Sequence, residues 1–306
     1  MLLGNYPNTY TFTKSLAERA MHKLHGDLPT CIIRPSIIIA CYQSPFQGWI
    51  DTLSAGGGIT YGIQVGMLHY VYASLSATVD LVPCDFTANA ILAQIVYQNR
   101  IEPGRKFQIF HSSTGNKNPL KIWLFRRLCL EYANFYPYFK KLGPAFAYGI
   151  GNKYAFKVAI TASERVPLKV LETYSKLPVV GNKKMRDQIK FASTISDKMF
   201  NMQSIFHHFI TNSWVFETEQ SAKLTDSLCP EERKIFYVDV NLIDWRKAIY
   251  AFSYGLRRFF MREDAIAPEK NLVQILSKNA PSLFEDITRA RDTSRYVQPK
   301  DNIIYF

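Results

Sequence analysis

Apolar residues recur at helical spacing over residues 9–25, where Leu16, Ala17, Ala20, Met21 and Leu24 share a face and Gly26 stands at a C-cap position. Residues 30–40 hold Ile32, Ile33, Ile37, Ile38 and Ile39, a nearly continuous apolar run. Such a run predicts a strand buried on both faces of a parallel sheet. Residues 44–70 mix glycine with aromatics and read mainly as loop. A short strand is predicted over 79–83 and a helix over 85–97, carrying Ala88, Ile91, Leu92, Ile95 and Val96. Another strand is predicted over 106–111. Alternating helix and strand argue for α/β architecture. Beyond about residue 116 the strand signals fade. Residues 186–212 and 242–262 read as helices, the latter with Trp245, Ile249, Phe252, Leu256 and Phe259 on one face. The pattern is the end of an α/β domain followed by a mostly helical one.

Composition adds limits. With 47% apolar and 14% aromatic residues, the 306-residue chain is not a disordered one. The net charge of +12 is uneven. Lys+Arg against Asp+Glu is 7 against 6 over residues 1–116, 16 against 5 over 117–198, and 14 against 14 over 199–306. The surplus therefore sits in the middle segment, as +11. That is a local basic surface, not a uniformly basic nucleic-acid binder. No nucleic-acid-binding fold signal accompanies it, so nucleic acid is not expected as a partner. Within 121–141, Trp123, Phe125, Tyr132, Phe135, Tyr136, Tyr138 and Phe139 alternate with Arg126, Arg127, Lys140 and Lys141. Aromatics beside cations suit a membrane interface or the phosphates of an acyl-CoA, as well as a packed helix with solvated lysines. Five scattered cysteines suit a reducing compartment and are expected in the core. His207-His208 has no third ligand nearby, and no metal site is expected. Residues 52–79 carry no charge, but their glycine and polar content argues against a membrane span.

The sharpest chemical signal is Tyr10-Thr11-Phe12-Thr13-Lys14 at the start of the first helix. A spacing of four puts both side chains on one face. A phenol, with a pKa of about 10, is a poor acid at neutral pH. A neighbouring ammonium favours the phenolate, which fits the tyrosine to exchange a proton with a carbonyl oxygen. The spacing alone is common; its context adds weight.

That context resembles the fatty acyl-CoA reductases, a branch of the extended short-chain dehydrogenase/reductases. The matching residues run Tyr6-Pro7-Asn8-Thr9-Tyr10 through Glu18, then Ile33-Arg34-Pro35-Ser36-Ile37 and Pro45-Phe46-Gln47-Gly48-Trp49-Ile50-Asp51. Asp80-Leu81-Val82-Pro83-Cys84-Asp85, Asn89-Ala90-Ile91 and Ser112-Ser113-Thr114-Gly115-Asn116 follow. In the second half come Asn212-Ser213-Trp214, Phe236-Tyr237-Val238-Asp239, Ile243-Asp244-Trp245 and Gly255-Leu256-Arg257. The resemblance implies the C-terminal part of a Rossmann-like reductase domain over 1–118, a helical "male sterility" domain over 119–262, and a tail over 263–306. It implies reduction of long-chain acyl-CoA through an aldehyde to a primary alcohol with NADPH. Tyr10 would be the proton donor and Lys14 its electrostatic partner and ribose contact. Arg34, Pro35 and Ser36 would lie by the cofactor, and Gly48 and Trp49 on the substrate side. The partners implied are fatty acyl-CoA and a membrane surface met through 117–198. The implied location is the cytosolic face of the peroxisomal or ER membrane, although no targeting signal stands in these residues.

One element of the family pattern is missing. Its glycine-rich strand–turn–helix cradles the cofactor pyrophosphate on backbone N–H groups. Gly56-Gly57-Gly58 is expected neither to follow a strand nor to open a helix, and so not to serve. The leading expectation is that these residues are part of a longer reductase. The alternatives are a catalytically dead membrane-associated or assembly module, and a reductase half completed by another polypeptide. A short-chain dehydrogenase acting on sugars or sterols is disfavoured by the helical domain.

Overall fold

In the computed structural model, residues 4, 6, 8–53, 56–100, 104, 107–139, 141–176 and 183–263 are described, together with the strand at 303–305. The predicted tail over 264–302 lies outside them. The first helix, α1 (Thr9–Leu24), starts where the Asn8 side chain accepts from the Thr11 N–H at 2.9 Å and stops before Gly26, whose φ is +59°. That conformation is costly for any residue with a Cβ. The apolar run at 30–39 is one extended stretch divided between two partners. β1 (Thr30–Pro35) pairs in parallel with β6 (Phe107–Ser112), and β2 (Ile37–Ile39) pairs in parallel with β5 (Leu81–Pro83). At the break, the Ser36 N–H reaches the Ser112 carbonyl at 2.9 Å and the Ile37 N–H reaches that of Asp80 at 3.1 Å. Between these lie α2 (Gly56–Gln64), β3 (Tyr70–Val71), β4 (Thr78–Val79) and α3 (Cys84–Arg100).

The rest is mostly helical: β7 (Leu120–Lys121), α4 (Ile122–Phe135), β8 (Tyr148–Gly149), α5 (Lys153–Ile160), α6 (Val166–Ser175), α7 (Lys183–Ile210), β9 (Ser213–Val215), α8 (Glu219–Ser227), α9 (Pro230–Ile235) and α10 (Trp245–Gly255). A backbone strand, β10 (Ile303–Tyr305), pairs with β9. One core crosses the predicted boundary at residue 118. It joins Ile39, Ile63, Leu81, Val82 and Phe86 to Leu128, Tyr132, Ile249, Phe252 and Leu256. Trp245 is buried in it and donates its indole N–H to Asn118.

Two expectations need correction and one open reading is decided. β1 is only partly buried, with Arg34 and Pro35 exposed, because among the described residues it pairs with β6 alone and α1 contributes no buried residue. Residues 44–70 contain helix α2, which opens at Gly56-Gly57-Gly58. Glycine weakens a helix by about 1 kcal/mol each relative to alanine, so periodicity missed it. Packing holds it: a Cβ on Gly58 would lie 2.9 Å from the Met202 Sδ, and one on Gly62 3.1 Å from the Leu68 Cβ. These glycines admit α7 and a neighbouring loop at close range; they do not follow a strand. Lastly, of the readings left open for 121–141, the aromatics follow that of a packed helix. Phe125, Tyr132 and Tyr138 are buried, Trp123 and Tyr136 pack on the core, and only Phe135 and Phe139 are exposed. α4 turns its apolar face inward.

Candidate active site

Tyr10, Lys14 and Glu18 stand one turn apart along α1. Tyr10 is 68% exposed, and the Lys14 ammonium lies 5.8 Å from the centre of its ring. Both reactive groups therefore face open space. Glu18 fixes where that face points. Its carboxylate takes two bonds from Arg34, Nε to Oε1 at 2.9 Å and Nη2 to Oε2 at 2.5 Å. Arg34 is the penultimate residue of β1 and lies opposite His111 of β6. The guanidinium also approaches the His111 Nε2 at 3.5 Å. The bidentate pair thus ties the catalytic-type face of α1 to the C-terminal end of β1, the end at which open α/β sheets bind ligands.

Pro35 and Ser36 continue from Arg34 alongside Ser112. The Arg34 side chain is engaged by Glu18, so it holds position in the site. Gly48 and Trp49 lie elsewhere. Residues 41–49 form a loop closed by Gly48 N–H to the Cys41 carbonyl at 2.8 Å and Cys41 N–H to that of Trp49 at 3.1 Å. Gly48 has φ +78° and packs backbone to backbone against Ala251 and Gly255 of α10. Trp49 is 38% exposed. Among the described residues, no hydrogen bond or ring contact links this loop to Tyr10 or Lys14.

Two buried carboxylates, unassigned from the sequence, organise the strand ends. Asp80 accepts from the Thr114 N–H at 2.8 Å, its hydroxyl at 3.0 Å and the Gly115 N–H at 3.1 Å. Burial nevertheless pushes its carboxyl above the usual range. Asp85 accepts the N–H groups of Tyr42, Gln43 and Ser44 at 2.9, 2.8 and 3.2 Å, and the Tyr237 hydroxyl at 2.7 Å. It fastens the start of the 41–49 loop to the first turn of α3. Beside it the Cys41 and Cys84 sulfurs lie 2.9 Å apart, and the Cys41 thiol lowers the pKa of Cys84.

A second feature is apolar. Ile37, Ile59, Ile63, Val79, Phe125 and Phe209 help to line a small apolar pocket of about 60 Å³, with Arg126 at its wall. That is well below the several hundred Å³ usual for small-molecule sites, so the pocket is a gap in the packing. The Arg126 guanidinium is tied to the Ala147 carbonyl at 2.6 Å.

A nicotinamide cofactor can be weighed against these groups. The exposed Lys14 ammonium and Tyr10 phenol fit the hydroxyl-rich ribose and the reacting end. Among the described residues no strand–glycine turn–helix cradles a pyrophosphate, since Gly56-Gly57-Gly58 is packed into the core. The described residues thus fit the reacting end of such a site and not its pyrophosphate end. Among the described residues no group of three or more metal-ligating side chains occurs.

Comparison with known proteins adds the following. Residues 1–91 and 164–263 match two family models, each described as male sterility protein, the first of them an NAD-binding domain. Fatty acyl-CoA reductase 2 of Mus musculus is 29% identical over 266 residues. Fatty acyl-CoA reductase 1 of Gallus gallus is 30% identical over 271 residues, and that of Homo sapiens 29% over 271. Each match covers 86% of this chain and 49% of the relative, so the chain spans about half the length of the curated relatives it matches.

Proposed function

Because this chain belongs to the fatty acyl-CoA reductase family, we propose that it carries the proton-donating side chains of an alcohol-forming, NADPH-dependent reductase of long-chain acyl-CoA. The observation that carries this reading is the exposed Tyr10–Lys14 pair, held over the end of β1 by Glu18 and Arg34. NADPH supplies the hydride. In the first reduction hydride from the bound cofactor would add to the thioester carbon and the C–S bond would break, leaving an aldehyde and the CoA thiolate, which takes a proton from water. In the second, hydride adds to the aldehyde carbon and the Tyr10 hydroxyl delivers its proton to the oxygen, giving the primary alcohol. Lys14 stabilises the phenolate left behind and donates hydrogen bonds to the ribose. The reaction is placed at the cytosolic face of a peroxisomal or ER membrane.

The test is direct. The native polypeptide carrying this sequence is incubated with palmitoyl-CoA and NADPH, and the products are identified by mass. Hexadecanol with release of the CoA thiol is expected. Acyl-CoA that stays intact while NADPH is not consumed would contradict the reading and favour the non-catalytic module.

A further inference from the structure

α5 and α6 are joined by a π turn (Thr161–Arg165) into one continuous helical rod. Its inner side is set by Phe156, Ile160 and Ser175, all buried. The opposite side should be polar, as on any helix packed at a protein surface. It is instead apolar. Tyr154 is 80% exposed, Val158 67%, Val166 50%, Val170 48% and Tyr174 55%, with Ala162 between them also exposed. These six residues are spaced by four. In an α-helix, steps of four drift by about 40° each, so five steps would carry a stripe roughly halfway around. The wider π turn takes back part of that drift and holds the residues on the outer side. Soluble monomers rarely present so continuous an apolar surface without a use for it.

Charge identifies the partner. Lys153, Lys157, Lys169 and Lys176 are exposed along the same rod. The exposed acid among them is Glu172, paired with Lys176 at 3.0 Å. Four lysines less one glutamate leave +3 on this surface. A tyrosine stands at each end of the stripe, with an apolar ring and a polar tip suited to a lipid–water boundary. No described helix is long and apolar enough to cross a membrane. We propose that the α5–α6 rod lies flat on an anionic phospholipid surface, with Tyr154, Val158, Val166, Val170 and Tyr174 in the headgroup region and the lysines on lipid phosphates. This rests on the reading that the chain works at a membrane. It narrows the expected contact over 117–198 to residues 153–176, since the aromatics of 121–141 are largely in the core.

Co-sedimentation with sucrose-loaded vesicles tests it, using the whole chain and no acyl-CoA. Phosphatidylcholine vesicles with and without phosphatidylserine are compared. So are wild type, Val158→Asn/Val166→Asn and Lys157→Glu/Lys169→Glu, with circular dichroism checking that each is folded. Expected are binding that requires phosphatidylserine and falls with added salt, and at least a tenfold loss in partitioning for both variants. Wild type and variants that bind alike would overturn the rod while leaving the membrane reading intact. A wild type that ignores phosphatidylserine vesicles would overturn both. A wild-type dimer that Val158→Asn/Val166→Asn turns into a monomer, with no vesicle binding, would assign the stripe to a second copy of the chain and overturn the proposal.

Discussion

Replacing Gly255 by alanine sets two effects against each other. Gly255 ends α10 with helical dihedrals, φ −62° and ψ −44°. In an unobstructed helix the change would stabilise by about 1 kcal/mol. Here the added Cβ would lie 2.6 Å from the carbonyl carbon of Gly48, 3.2 Å from its Cα, and closest to its oxygen. All are backbone atoms, so no side chain can swing away. The 41–49 loop must shift, and its two closing bonds, Gly48 to Cys41 and Cys41 to Trp49, resist. Overpacking of this kind costs roughly 1–3 kcal/mol, and a weakened hydrogen bond about 1 more. Less the helix-propensity gain, the expected net loss is about 1–3 kcal/mol. Urea denaturation followed by circular dichroism reads it as a lower midpoint at unchanged slope. Gly48→Ala should also destabilise, since φ there is +78° and its Cβ would meet the Ala251 carbonyl. In the double variant the losses should sum to less than their total, because one displacement relieves both clashes. An alanine at 255 that leaves stability equal or higher would refute the close approach of the loop to α10.

Asp85→Ala leaves two buried donors, the Tyr42 N–H and the Tyr237 hydroxyl, without an acceptor, while Gln43 and Ser44 can turn to water. At about 1–3 kcal/mol for each buried donor, unfolding should become easier by roughly 2–6 kcal/mol; a loss under about 1 in chemical denaturation would contradict the role given to Asp85. Glu18→Gln should change stability by less than about 1 kcal/mol, as its ion pair is partly exposed, yet lower kcat with KM unchanged; intact kcat would remove Glu18 as a positioning residue. Burial pushes the Cys31 thiol up to about 11, and the Cys129 thiol and Tyr237 phenol up to about 12. The folded chain then holds these protons longer than the unfolded one. Their stabilisation is full below about pH 9 and lost as pH rises through 11 to 12, so melting temperature should fall across that window; a flat profile would count against their burial.

How much was legible in the sequence differs from residue to residue. α1 and its Tyr10–Lys14 face follow from spacing and capping, both local. The run at 30–39 is extended as predicted, but its change of partner at Ser36 depends on where Asp80 and Ser112 lie in space. Asp85 illustrates the harder case. Its partners are 41 to 43 residues away in the 42–44 loop and 152 away at Tyr237, so composition shows a carboxylate and not a clamp. Gly48 and Gly255 were both visible as parts of ordered blocks, and only the fold brings them together. The +11 over residues 117–198 was countable, whereas the exposed stripe from Tyr154 to Tyr174 became readable once the inner side of the rod was known. Its four-residue spacing was a signal present in the sequence from the start.

The account rests most heavily on Tyr10 as the group that protonates the carbonyl oxygen. Comparing wild type with Tyr10→Phe in the native polypeptide, with palmitoyl-CoA and NADPH and with acyl-CoA binding measured alongside, tests it most directly. Loss of a positioned proton donor should lower alcohol formation by about 10²–10⁴-fold, while acyl-CoA binding is retained. Fatty alcohol formed at the wild-type rate by Tyr10→Phe would contradict the account.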